Sequence, residues 1–109
     1  MTTNIREILK LYRQQLEGVT GKQIKKIILF GSYARGDFNI NSDIDVMILV
    51  DSSKSEMKEC EDKIYDLTYD FNSEYDTEIM PVVQDEKHFN YWKESYVFYR
   101  NVEEEGVTI

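Results

Sequence analysis

Two aspartates two positions apart, Asp43 and Asp45, open the apolar segment DIDVMILV (43–50). Alternate residues of a β-strand project from the same face, so the sequence predicts two carboxylates side by side at one strand end. Such a pair repels unless a cation compensates it, and carboxylate oxygens are the ligands that Mg²⁺ prefers. The pair therefore indicates a metal site. The alternative is that both aspartates lie at a solvated strand end and discourage edge pairing.

A Gly-Ser turn comes before the aspartates, with ten residues between Ser32 and Asp43. Gly31 and Ser32 follow the β-branched segment KKIILF, and the segment SYARG after it is typical of one short helical turn. Ser32 is a favourable N-cap, and the free N–H groups of such a turn bind anions. Gly31 has no Cβ, so a phosphate oxygen can approach its backbone closely. Arg35 could neutralise charge there, or it could pair with Asp37 on the surface.

The elements that must position these residues follow from the hydrophobic pattern, which predicts the order α-β-β-α-β-α. The predicted helices are 4–17, ended by Gly18, and 54–74; the predicted strands are 25–30, 43–50 and 77–83; one or two helices follow in 85–106. The run after Asp45 is apolar on both faces, which predicts a central strand. Pro81 cannot donate to a ladder, so its strand lies at an edge or a bulge. This order predicts an α/β or α+β domain with a small mixed sheet flanked by helices.

Composition limits the range of functions. The 109 residues are expected to form one domain, 1–109, with the balance of an ordinary globular protein: 41% hydrophobic and 31% charged. The net charge of −8 argues against direct nucleic-acid binding and favours a metal ion or a basic protein partner.

The single Cys60 excludes an internal disulfide and is predicted to be a packed thiol. No signal peptide or apolar run of ~20 residues is present, so a cytoplasmic protein without membrane association is expected.

The spacing Gly-Ser-x10-Asp-x-Asp resembles the signature of the polymerase-beta-type nucleotidyltransferase superfamily. The segments ARGD and SDIDV and the ending FYRNVEEEGVTI are similar to minimal nucleotidyltransferases, its small single-domain branch. The resemblance implies a polymerase-beta-like fold in which Asp43 and Asp45 hold one or two Mg²⁺ ions. It also implies that Gly31, Ser32 and Arg35 bind the triphosphate of ATP.

The family takes a third carboxylate from a neighbouring strand. Glu78 and Asp76 are both candidates in the segment YDTEIMPVV, and they share a face by parity. Glu78 is favoured as the third catalytic and metal-binding carboxylate because it lies inside the apolar run, whereas Asp76 is equally typical of a turn.

Minimal nucleotidyltransferases similar to this chain commonly act as antitoxins encoded beside a HEPN-family ribonuclease toxin. The resemblance therefore implies transfer of a nucleoside monophosphate, AMP from ATP, to a hydroxyl of a partner protein such as a HEPN toxin. Two alternatives stay open: an antitoxin that binds its partner with negligible turnover, and an adenylyltransferase of aminoglycoside-type drugs.

The aromatic residues are concentrated near the C-terminal end. The segment HFNYWKESYVFY holds six of the chain's fourteen aromatic side chains. Exposed Tyr and Trp often anchor protein interfaces, which makes Phe89 to Tyr99, and Tyr91 and Trp92 in particular, candidates for partner contacts. The alternative is that these side chains cover one side of the sheet.

Overall fold

The computed structural model describes residues 3–109. It contains five helices and four strands within that range, in the order α1 (Thr3–Thr20), β1 (Ile24–Phe30), α2 (Ser32–Arg35), β2 (Ile44–Val50), α3 (Lys54–Tyr75), β3 (Ile79–Asp85), α4 (Glu86–Trp92), α5 (Val97–Glu105) and β4 (Val107–Thr108). A short 3-10 turn, Gly21–Gln23, joins α1 to β1. The predicted elements are present within a few residues of their expected bounds, and the short strand β4 was not predicted.

The four strands form one mixed sheet in the order β3-β2-β1-β4. Strands β1 and β2 are antiparallel, with Phe30 opposite Asp45, whereas β2 and β3 are parallel, with Asp45 opposite Met80. The 22-residue helix α3 makes the crossover that a parallel β2–β3 connection requires. The predicted α+β class with a small mixed sheet is confirmed.

Strand β2 has apolar contacts on both faces of the sheet. On one face, Val46 and Ile48 pack with α1 and α3 through side chains such as Leu9 and Ile64. On the other face, Met47 and Leu49 pack with α4 and α5; the residues of this second cluster are Ile28, Met47, Leu49, Phe89, Tyr99 and Val102. The prediction of a central strand buried on both sides is confirmed, and it explains why β2 is apolar from Val46 onward.

The end of α1 differs from the prediction. Gly18 lies inside the helix, which continues to Thr20. The Thr20 hydroxyl donates to the carbonyl oxygen of Leu16 at 2.8 Å, and Gly21 then takes a left-handed conformation with φ 64°. Gly21 rather than Gly18 provides the residue that tolerates this conformation, so the predicted helix end was three residues too early at 17.

Strand β3 lies at the edge of the sheet, as Pro81 predicted. Ile79 is hydrogen-bonded on its outer side by the Asn72 carboxamide, which accepts from its N–H at 2.9 Å and donates to its carbonyl oxygen at 3.0 Å. Pro81 has no N–H to offer. The side chain of Asn72 therefore replaces a neighbouring strand at this edge.

The aromatic residues near the C-terminal end fall into two groups. Phe89 and Tyr99 are buried in the second core cluster, so the interface expected over Phe89 to Tyr99 is wrong for these two. Tyr91 is exposed, and Trp92 is half-buried and stacked on Tyr96 with ring centroids 5.3 Å apart. The alternative that these side chains cover one side of the sheet therefore holds for Phe89 and Tyr99, and a partner contact through Tyr91 and Trp92 stays a prediction.

Cys60 is buried on α3, which confirms the prediction of a packed thiol, and burial raises the pKa of its thiol. No helix in the described part of the chain combines the length and the apolar character needed to cross a membrane.

Candidate active site

The Gly-Ser turn connects β1 to the short helix α2. Gly31 has φ 73° and ψ −153°, and its carbonyl oxygen accepts from the N–H groups of Ala34 and Arg35 at 3.1 and 3.0 Å. Gly31, not Ser32, therefore occupies the N-cap position, and the prediction of Ser32 as N-cap was wrong. The cap requires a backbone conformation that only glycine adopts readily, so serine takes the first helical position instead.

Gly31 lies directly against the carboxylate of Asp45. A Cβ placed on Gly31 would be 2.5 Å from Oδ2 of Asp45, a separation that real Cβ atoms do not show. The turn and the carboxylate can therefore lie this close together only because Gly31 has no side chain. Ten residues, which include most of α2, separate Ser32 from Asp43 in sequence, but the antiparallel pairing of β1 with β2 brings the two motifs together.

The two aspartates lie at the start of β2. Asp43 is exposed and directly precedes the strand, whereas Asp45 is half-buried within it. The pKa of Asp45 is raised, first because burial removes water from the carboxylate and second because Asp43 repels its charge; Arg35 opposes both effects. The two carboxylates are thus close enough for the charge of Asp43 to affect the pKa of Asp45, as the sequence predicted.

The sheet register explains the burial of Asp45. Phe30 on β1 and Met80 on β3 are its lateral partners, so the carboxylate lies between two apolar side chains in one row across the sheet. Paired residues of adjacent strands project from the same face. Sequence reasoning did not identify Phe30 or Met80 as neighbours of the site, because only the register shows which residues share a row.

Glu78 directly precedes β3, and its side chain is exposed. Its carbonyl oxygen accepts from the N–H of Ile44 at 2.8 Å, which ties it to the residue between the two aspartates. Continuing the β2–β3 register by one residue places Glu78 beside Asp43. Asp76 ends α3 in a left-handed conformation with φ 53°, which is the turn role that the sequence left open for it.

Arg35 forms two ion pairs in the structure. Its Nε donates to Oδ2 of Asp37 at 3.2 Å and its Nη1 donates to Oε2 of Glu105 at 3.3 Å. These hydrogen bonds, with that to Asp37 the larger influence, raise the pKa of the Arg35 guanidinium. The surface pair with Asp37 was the predicted alternative to phosphate binding. Glu105 was not predicted, since 70 positions separate it from Arg35 and no local pattern links them.

The carboxylates fit a hard divalent cation by their chemistry. In residues 3–109, no group of three or more His, Cys, Asp or Glu side chains lies close enough together to hold a metal ion. Burial is the main cause that raises the pKa of Asp45, and the negative charge of Asp43 raises it further. A cation between the two carboxylates would compensate their negative charge. Glu78 stays a predicted third ligand.

A groove of ≈ 400 Å³ opens beside the start of β2 and β3. Its apolar wall includes Tyr33 and Tyr75, and its polar rim includes Ser42 and Glu78. The loop that leads to Ser42 is closed by its own hydrogen bonds, with the N–H of Asn39 donating to the Ser42 hydroxyl at 2.9 Å. This open groove therefore lies next to the predicted third carboxylate.

Residues 5–106 match the family model described as the nucleotidyltransferase domain, so the chain belongs to that family. The resemblance drawn from the Gly-Ser-x10-Asp-x-Asp spacing is confirmed, and the protein is a nucleotidyltransferase.

Relatives of known description agree with this family. One protein from Methanocaldococcus jannaschii, named "Putative protein adenylyltransferase", is 39% identical over 102 residues, covering 94% of this chain and 90% of that protein. A second protein of the same name and organism is 37% identical over 77 residues, covering 71% of this chain and 76% of that protein.

A solved structure shares the fold. It is described as the crystal structure of a toxin-antitoxin with AMP-PNP, and it matches with a TM-score of 0.55 at 22% sequence identity. The match covers 89% of this chain and 68% of that chain. The predicted polymerase-beta-like nucleotidyltransferase fold is confirmed.

Proposed function

We propose that this protein is a Mg²⁺-dependent adenylyltransferase that transfers AMP from ATP to a hydroxyl of a partner protein, as the antitoxin of a HEPN-family toxin. The names of the relatives support the protein acceptor, and the AMP-PNP and the toxin-antitoxin named with the solved structure support the nucleotide and the partner. The observation that carries the proposal is the contact of the Gly31 turn with the Asp45 carboxylate, next to Asp43.

The turn would bind the triphosphate. The N–H groups of Ala34 and Arg35 both donate to the carbonyl oxygen of Gly31. The N–H groups of Ser32 and Tyr33 have no such backbone partner among the described residues, so they would be available to phosphate oxygens. Gly31 lets the phosphate approach the backbone without a side chain between them. Arg35 would contact the phosphates after exchanging one of its carboxylate partners for a phosphate oxygen.

In the reaction, the acceptor hydroxyl oxygen forms a bond to the α-phosphorus while the bond from that phosphorus to the bridging oxygen breaks. Pyrophosphate leaves with the bonding electron pair, and the hydroxyl proton passes to a site carboxylate or to water. Asp43 and Asp45 would hold Mg²⁺, with Glu78 as third ligand or base. Bound Mg²⁺ supplies neutralisation of the charge that develops on the phosphate oxygens. The chain itself contributes positioning and a carboxylate that is partly withdrawn from water.

The test is transfer of label from α-³²P-ATP in the presence of Mg²⁺ and the product of the neighbouring gene. The wild type should label the partner protein, and Asp45→Asn should reduce labelling by at least about 100-fold, the scale of losing a positioned charged group. Asp51→Asn is the matched control, because Asp51 directly follows the other end of the same strand and is exposed. Its labelling should equal that of the wild type.

Other outcomes separate the remaining functions. Tight binding of the partner protein without label transfer would indicate an antitoxin that acts by binding and not by catalysis. Labelling of a cationic aminoglycoside in preference to any protein would assign a small-molecule adenylyltransferase. Full activity in Asp45→Asn would contradict the assignment of the site.

A further inference from the structure

We infer that the acceptor protein docks on an exposed apolar surface that borders Asp45, here called the acceptor face and formed by Met80, Val82 and Phe98. The inference rests on the proposed function and adds where the partner binds and what chemistry it presents. Its occupant is a segment of the partner that combines apolar and basic side chains around the hydroxyl that is modified.

The acceptor face is placed by the sheet register. Met80 is the lateral partner of Asp45, and Phe30 is its lateral partner on the other side. Phe98 packs edge-to-face against Phe30, with ring centroids 5.6 Å apart. Because neighbouring strands are about 4.8 Å apart, a side chain seated on Met80 lies within reach of the carboxylate. Val82 continues the same face one row further along β3.

The three side chains of the acceptor face, two on β3 and one on α5, are partly exposed. Met80 is 52% exposed, Phe98 45% and Val82 37%. Met47, the lateral partner of Val82, is fully buried beneath α4 and α5. The covering helices therefore reach β3 at Gln84, which donates to the Tyr99 hydroxyl of α5, but leave Met80 and Val82 partly exposed nearer the site. Met80 and Val82 thus lie on one side of Asp45 and Phe98, packed on Phe30, on the other. Exposed apolar side chains that flank a reactive group are typical of an interaction surface.

The charge around the acceptor face is negative. Asp43, Asp45 and Glu78 lie at the same end of β2 and β3, and the whole chain carries −8. Arg35, the cation that influences Asp45, is already paired with two carboxylates. A basic segment is therefore favoured over an acidic or neutral one, and the field of the carboxylates would also accelerate its encounter.

The partner uses the face of the sheet rather than its edge. Addition of a strand to β3 needs free N–H and C=O groups along the outer side of that strand. The Asn72 carboxamide takes both outer groups of Ile79, and Pro81 lacks an N–H. Side-chain contacts with the acceptor face, not backbone pairing, should therefore carry the affinity.

The experiment measures both binding and transfer with a defined probe. The probe is a short fluorescent peptide in which one tyrosine is flanked by leucines and lysines; its counterpart has glutamates in place of the lysines. Fluorescence anisotropy gives the affinity for each peptide, and label transfer from ATP gives the KM for peptide and for ATP.

Three variants are compared with the wild type: Met80→Gln/Phe98→Gln, Met80→Gln alone in case the Phe98 contact supports folding, and Tyr69→Gln as control. Tyr69 is 78% exposed on α3, which packs on the opposite face of the sheet.

We expect the wild type to bind the basic peptide at least tenfold more tightly than the acidic one. Met80→Gln/Phe98→Gln should weaken binding of the basic peptide about tenfold, and Met80→Gln several-fold, while the KM for ATP and the behaviour of Tyr69→Gln stay at wild-type values. Failure of the wild type to prefer the basic peptide would overturn the inference. So would unchanged peptide affinity in both Met80 variants, or a loss of ATP affinity in place of peptide affinity. Peptide binding that follows this pattern without any transfer would support the docking surface, and label transfer to the product of the neighbouring gene would then decide the proposed enzymatic function separately.

Discussion

Replacement of Gly31 by alanine is the sharpest test of the site geometry. The new Cβ would lie 2.5 Å from Oδ2 of Asp45, where ordinary contact begins at about 3.4 Å, so one group must move by roughly 1 Å. The backbone at φ 73° adds strain of order 1–3 kcal/mol for a residue with a side chain. Rotating the Asp45 carboxylate out of the way adds about 0.5–1.5 kcal/mol. The sum predicts a loss of about 1.5–4.5 kcal/mol, centred near 3 kcal/mol, in the free energy of unfolding.

The assay is thermal and urea unfolding of Gly31→Ala beside two other glycine variants. At about 4–8 °C for each kcal/mol, Gly31→Ala should lower Tm by roughly 10 °C or more. Gly36→Ala carries the strain of a positive φ in open space, which should cost about 1–2 kcal/mol. Gly18→Ala lies inside α1 with open space around it, and should raise stability by about 0.5–1 kcal/mol. The three variants therefore separate steric contact, backbone strain and helix propensity.

A double variant tests the contact itself. Gly31→Ala/Asp45→Ala removes the carboxylate that the new Cβ would meet, so it should recover the part of the loss that came from displacing Asp45 while keeping the backbone strain. A coupling free energy near zero between the two positions would refute the reasoning, as would a Gly31→Ala protein that is as stable as Gly36→Ala.

Three further predictions concern other residues. Without added metal, Asp45→Asn should raise Tm at pH 7. The pKa of Asp45 is raised in the folded protein, so this carboxyl stabilises the fold fully only below its ordinary pKa, and the contribution is lost as pH rises through the folded pKa. The gain in Tm should therefore vanish below about pH 4, and a lower Tm of Asp45→Asn at pH 7 would contradict the prediction. Gly106→Ala would drive a Cβ into the carbonyl oxygen of Val102 and should cost about 1–3 kcal/mol or more in urea unfolding. Tyr12→Phe removes the buried hydroxyl that lies 2.6 Å from Oγ1 of Thr68 and should cost about 1 kcal/mol in urea unfolding, because the Thr68 hydroxyl still donates to the Ile64 carbonyl oxygen but loses the donor from Tyr12. Unchanged stability would contradict this prediction.

Much of the fold followed from local patterns. The helical spacing of apolar residues predicted α1 and α3, and the β-branched and apolar runs predicted β1, β2 and β3, because periodicity is a property of consecutive residues. Pro81 limited β3 to an edge or a bulge because it lacks an N–H, and the sheet order then showed that the strand lies at an edge. The motif spacing also predicted that Gly31 and Asp45 belong to one site.

The sequence by itself determined the class of this protein, because the Gly-Ser turn and the aspartate pair lie close in the chain at a characteristic spacing. Only the tertiary structure decided what surrounds them. The sheet register placed Phe30 and Met80 on either side of Asp45, and the packing of α5 brought Glu105 to Arg35. These neighbours come from distant parts of the chain, and no local pattern encodes which distant residues meet; that depends on strand register and helix packing, which the whole core determines together.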